Sequence, residues 1–191
     1  MTAVAAPLGL QAVYHPSGLE RAMQFVIPTG YSTAIFKGDP VILDNTTNVG
    51  QLKIGTAAAA LLGVFVGCEY IDATGKPTFS NFWPASQTTQ TGSTIIAWVI
   101  TDIETVYEIQ AQGSLSQSAV GKEYDIVMGS GNTSTGLSTT ALSTTAAANG
   151  AQKQFRVVDF GRAPDNAAGD AYTVVRVVLA NTQFRAPAVA I

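Results

Sequence analysis

His15 is the only histidine of the chain and Cys68 its only cysteine. That scarcity limits the chemistry on offer. A zinc centre built on several histidines or thiolates is excluded, because carboxylates would have to supply its remaining ligands. A Ser–His–acid relay would have to recruit His15, with Ser17 two residues on in VYHPSG (13–18), and no GxSxG pattern accompanies it. Beside Pro16, a turn or surface role is the better reading of His15. Asp102, Glu104 and Glu108 fall on one face of an alternating run, where such a row could bind a hard cation such as calcium. A solvated strand face explains the same row and is preferred. Gly129-Ser130-Gly131 is a fragment of a glycine-rich loop without GxGxxG or GK[ST], so it carries no phosphate site. Cys68, in GVFVGCEY, reads as a small buried hydrophobe. The residues predict no enzyme, no cofactor and no metal site.

The elements around them read as β. Ile103, Thr105, Tyr107, Ile109 and Ala111 alternate with a mostly polar set. Residues 62–70 alternate in the same way, with glycines that mark bulges or close backbone approach. Thr173, Val175, Val177 and Leu179 form another buried row. Residues 93–101, STIIAWVIT, are apolar on both faces, which predicts a strand covered on both sides. FRVVDF (155–160) and DPVILD (39–44) are further strands, and EYDIV precedes the longest neutral tract. DNTTNVG, DATGKP, APDNAAGD and the Asn149–Gly150 pair supply turns. Ser17 and Glu20 have capping-box spacing, which allows a short helix before Pro28, and residues 116–121 allow a single helical turn. The expectation is a mainly β chain, an antiparallel barrel or sandwich with long neutral loops and extended termini. Its parts are an N-terminal arm (1–12), one β domain (13–182) with long loops at 77–94 and 129–152, and a C-terminal tail (183–191) in which Pro187 opposes helix.

Composition points away from several partners. Charged residues make up 12% of 191, against roughly 25% in ordinary soluble domains. The net charge of −3 and the scattered basic residues argue against nucleic acid. No apolar run approaches the ~20 residues that span a bilayer, and MTAVAAPLGLQ lacks the basic and apolar regions of a signal peptide. The stretch from Gly129 to Gln152 contains no charged side chain. Long unstructured loops are rare in compact domains unless they have work to do. That tract and the loop holding Phe79, Phe82 and Trp83 therefore read as docking segments. Trp83 and Phe82 lead as anchors, with the end of a core strand as the competing reading. Loss of residues 133–148 should then weaken docking more than folding.

Several phrases occur in an order that resembles a known group. They are VYHPSG, GYSTAIFKGDPVIL, LGVFVGCEY, NFWPA, VYEIQAQGSLSQSAVG, NTSTGLSTT and FGRAPDNAAGDAYTVVRV, spanning residues 13–177. Together they resemble head-associated structural proteins of tailed bacteriophages, in particular capsid decoration or cement proteins. The resemblance implies a virion protein on the capsid exterior, with the major capsid protein as partner and a homotrimer as the favoured oligomer. It carries over no catalytic residue. The alternative is a virion or cell-surface β-module binding a receptor or glycan through exposed Trp83, Tyr70 and Tyr124.

Overall fold

The computed structural model describes residues 4–148 and 151–185. The first sheet has six strands in the order β1 (Gln11–Tyr14), β10 (Val106–Gln110), β14 (Val174–Leu179), β13 (Phe155–Phe160), β11 (Glu123–Val127) and β12 (Ala141–Ala146). The second runs β2 (Ala22–Ile27), β9 (Ile95–Ile100), β6 (Gly63–Ile71), β4 (Pro40–Leu43) and β5 (Leu52–Ile54), with β7 (Pro77–Ser80) also on β6. A short pair, β3 (Ile35–Phe36) with β8 (Phe82–Trp83), stands apart. Neighbouring strands are antiparallel throughout these sheets. Neither sheet closes into a continuous ladder, although a single bridge links Leu142 of β12 to Ala111 beyond β10, so the mainly β, antiparallel expectation resolves to a sandwich-like arrangement rather than a closed barrel.

Two apolar clusters hold the layers together. Tyr107, Ile109, Phe155, Val157, Val175 and Val177 from the first sheet meet Ile42, Val64 and Ile100 from the second. The opposite face of the second sheet carries Ile27, Val41, Phe65, Ala97 and Val99, roofed by Ile35 and Trp83 of the β3–β8 pair. Period-two alternation in β6, β9, β10 and β14 makes this possible, because successive side chains point to opposite faces.

Four expectations change. Residues 22–27 form β2 rather than continuing a helix from Ser17; six registered pairs with β9 outweigh one capping-box spacing. The expected strand from Ile103 starts only at Val106, because the Asp102 carboxylate accepts the Glu104 N–H and closes a turn. Asp102 and Glu104 therefore do not share a strand face with Glu108, whose carboxylate takes Arg176 Nε–H at 2.9 Å across the β10–β14 pair. The segment 77–94 holds β7 and β8, and 129–152 holds β12. Strand β9 is fully covered on one side only.

The neutral tract is threaded into the fold. Ser138 and Thr140 are fully buried, and their hydroxyls donate to the Asp39 carboxylate, which also accepts the Phe36 N–H. Lys37 N–H donates to Gly136 O, and Ser138 N–H returns to Lys37 O. Charged side chains at Ser138, Thr140, Ala141 or Leu142 would lose hydration without a partner, so burial accounts for the neutrality of the middle of the tract, while residues 132–135 and 144–145 are exposed. Removing residues 133–148 would take away β12 and this anchor, which corrects the expectation of an expendable docking loop. The single turn of 3₁₀ helix at Gln117–Ala119 matches the sequence.

The described part of the N-terminal segment lies on the body. Ala6 N–H donates to Gln110 Oε1, Gln110 Nε2–H donates to Val4 O, and Leu10 is in the core. Gln183 exchanges two hydrogen bonds with the Leu43 backbone. The remainder of both expected arms, including Pro187, and the Asn149–Gly150 turn lie outside the described residues. Among the described residues no helix is long and apolar enough to cross a membrane.

Candidate functional site: an uncovered sheet face

The structure brings His15, Ser17 and Asp102 together. His15 Nδ1 lies 3.1 Å from the Ser17 amide nitrogen and 2.7 Å from Ser17 Oγ. Its Nε2 lies 3.0 Å from Asp102 Oδ2. A backbone amide can only donate, so Nδ1 is the acceptor and Nε2 carries the proton that Asp102 accepts. The single lone pair at Nδ1 already receives the Ser17 amide, which leaves it poorly placed to draw a proton from the hydroxyl. His15, Asp102 and Glu104 also place one ligand atom each within 4.8 Å of one another. A cation at Nε2 would force the imidazole proton to Nδ1, against the Ser17 N–H, and two donors would then face each other. The cluster acts as a tie between the turn after β1 and the turn between β9 and β10. Asp102 is held below the usual carboxylate range chiefly by the Glu104 N–H, with His15 and Arg185 adding to it.

The other candidates are interior. Burial pushes the Cys68 thiol up to about 12, which keeps it protonated and unreactive. Gly131 packs against the Phe36 ring and its N–H donates inward to Thr139 Oγ1, so the glycine pair offers no cradle for a phosphate. Trp83 is fully buried, donates Nε1–H to Tyr31 O and meets Tyr70 edge to face. It is a core residue, which corrects its reading as an anchor. Phe82 stacks on Phe36 with centroids 5.5 Å apart. Tyr70 and Tyr124 are buried too, so none of the three aromatics assigned to sugar stacking is exposed. Among the described residues no charged side chain lines the cleft of about 440 Å³ between Pro7, Met128 and Tyr172.

What remains is a surface that sequence reasoning did not identify. The face of the second sheet bearing Ala22, Ile100 and Val64 is covered by the first sheet only at that end. Farther along the strands it is open. Val26, Ile96, Glu69 and Phe79 form one row straight across β2, β9, β6 and β7, each opposite the next in register. The adjacent row places Gln24, Trp98 and Gly67 side by side. Opposed residues of antiparallel strands share a face, so these side chains project together. Phe79 is 76% exposed, Val26 is exposed, and Ile96, Trp98 and Ile71 are half-buried. A cleft of about 210 Å³ opens among Glu69, Ile71, Phe79, Thr94 and Ile96. Glu69 is the only charged group in these two rows, and it enters none of the ion pairs among the described residues. The apolar outer positions of β9 were legible as a signal, since a strand apolar on both faces calls for two covers.

Comparison with protein-family models, with curated proteins and with solved structures returned no match.

Proposed function

We propose that this chain is a structural virion protein that decorates the outside of a phage head, binding the lattice of major capsid protein and strengthening it. The observation that carries the reading is the uncovered apolar face of the second sheet, on a chain with very little surface charge. Five of its ten basic residues (Lys53, Lys153, Arg156, Arg162 and Arg176) are already bound to acids of the same fold. Such a surface suits lasting contact with a larger protein body. The ordered phrases that resemble decoration proteins support the same conclusion. The work done is mechanical: a rigid sandwich spans neighbouring capsomers and bears no chemistry. A homotrimer at a three-capsomer junction makes each weak contact effective, because the first contact raises the local concentration for the others.

The test is binding to purified heads of the encoding phage that lack this protein. The expected result is saturable co-sedimentation, with the sandwich seen by cryo-microscopy at regular exterior positions. Protein that stays in the supernatant at all concentrations overturns the proposal.

A further inference from the structure

We infer that the open face takes a segment of another protein in which one arginine or lysine is set among apolar side chains, the basic group seating on Glu69. The inference rests on the decoration reading and names the chemistry of its partner.

Geometry and charge carry it together. Glu69 stands between Ile96 and Phe79 in the cross-strand row, with Ile71 two positions on and Trp98 in the adjoining row. It is half-buried, so a partner resting on Phe79 and Ile96 would strip the rest of its water. A carboxylate sealed in this way without a counter-charge is strongly disfavoured. The occupant must therefore bring a cation to that point and apolar groups around it. Gly67, opposite Trp98, sets no side chain beside the indole on β6, and the place its Cβ would take is closed by the Ser80 carbonyl. An arginine fits best, because its guanidinium can meet the carboxylate in a fork while resting on an aromatic face.

A second copy of this chain, placed by a two-fold axis, is disfavoured. Isologous pairing of these two rows offers Glu69 no cation wherever the axis falls, since they carry no basic side chain, and an axis through Glu69 would set it against its own symmetry mate. Like charges at a closed interface oppose association. The face is thus built for a different surface.

The experiment compares wild type, Glu69→Gln, Glu69→Lys and Val158→Lys for binding to heads lacking the protein, at low and raised salt. Val158 is exposed on β13 of the other sheet. Removing one partner of a desolvated pair should cost about tenfold or more in affinity. Glu69→Gln should show that loss together with a flatter salt dependence, and Glu69→Lys should abolish binding. Val158→Lys should match wild type. Thermal melts of the Glu69 variants should stay near wild type, since among the described residues Glu69 enters no ion pair. Glu69→Gln binding as tightly as wild type overturns this inference and leaves decoration standing. Wild type that fails to bind heads overturns both. Association of the free protein with itself that Glu69→Lys strengthens or destroys, without any change in head binding, assigns the face to a second copy and also overturns it.

Discussion

The Ser138 hydroxyl donates to the Asp39 carboxylate inside the core, across ninety-nine positions of chain. Thr140 Oγ1 donates to the same oxygen at 3.0 Å, and the Phe36 amide takes the other at 2.8 Å. Asp39 is 1% exposed and belongs to none of the ion pairs among the described residues. Burial raises its carboxyl above the ordinary range, while the three donors partly oppose that rise.

Asp39→Asn can keep an oxygen for the Phe36 N–H only by turning its NH₂ to the two hydroxyls, whose own protons then lose their acceptor. A buried donor left unmatched costs about 1–3 kcal/mol. Urea unfolding at pH 7 should register that loss, and Ser138→Ala should give a smaller one. The pH dependence follows from the raised value. The folded state holds this proton more tightly than the unfolded chain, so the contribution is complete below the unfolded value and is lost as pH rises through the folded one. Asp39 therefore opposes acid unfolding, and the asparagine variant should lose that component of the pH profile.

Asp44 has the opposite sign. Its carboxylate accepts the Asn48 and Thr46 amides, the Thr46 hydroxyl and Lys53 Nζ–H. The Asn48 N–H is the largest of the influences that hold its carboxyl far below the usual range, followed by Lys53. A depressed value contributes stability above the unfolded pKa and loses it as pH falls through the folded one. Melting temperatures of wild type should thus decline below about pH 4, where an unperturbed Asp begins to protonate. Asp44→Asn should melt lower at pH 7 and show a shallower decline into acid.

The tie at His15 predicts a defined proton position. Long-range ¹⁵N spectra of the neutral imidazole should show Nε2 protonated and Nδ1 bare. Zinc or calcium added in excess should leave those signals in place. His15→Ala should cost about 1 kcal/mol, the usual worth of a hydrogen bond of this kind. An Nδ1–H tautomer, or signals moved by zinc, would contradict the donor argument.

Strands were legible wherever apolar residues alternated and turns were spelled by Gly, Asn and Asp. β4, β6, β9, β11, β13 and β14 fall where the pattern put them. Residues 129–152 misled because an uncharged run has two physical origins. It can face a protein partner, or its middle can be interior and held by a buried carboxylate that is distant in sequence but adjacent in space, as Ser138 and Thr140 are held by Asp39. Trp83 misled for a related reason. NFWPA carries no alternation long enough to show which side is covered, and the cover comes from Tyr31 and Tyr70, distant in sequence. The open face was half visible. Ile96 and Trp98 announced a second apolar side of β9, but only the register of four strands shows that the first sheet stops short of them.

Phe79 and Trp83 lie four residues apart and separate folding from docking. Trp83 is enclosed between Tyr70, Tyr31 and Ile35, so Trp83→Ala should cost about 3–5 kcal/mol, as large-to-small changes of core aromatics do. Phe79 projects from β7 with three-quarters of its surface in solvent. Phe79→Ser should leave the melt within about 2 °C of wild type, since surface changes stay within ~0.5 kcal/mol. Its effect belongs on binding, where an aromatic anchor at the centre of a contact carries about 2 kcal/mol or more. Melts and head sedimentation of the two variants are therefore expected to cross: one loses the fold, the other keeps the fold and loses the particle. If Phe79→Ser binds heads normally, the contact lies elsewhere on the molecule and the open face of β2, β9, β6 and β7 is not the docking surface.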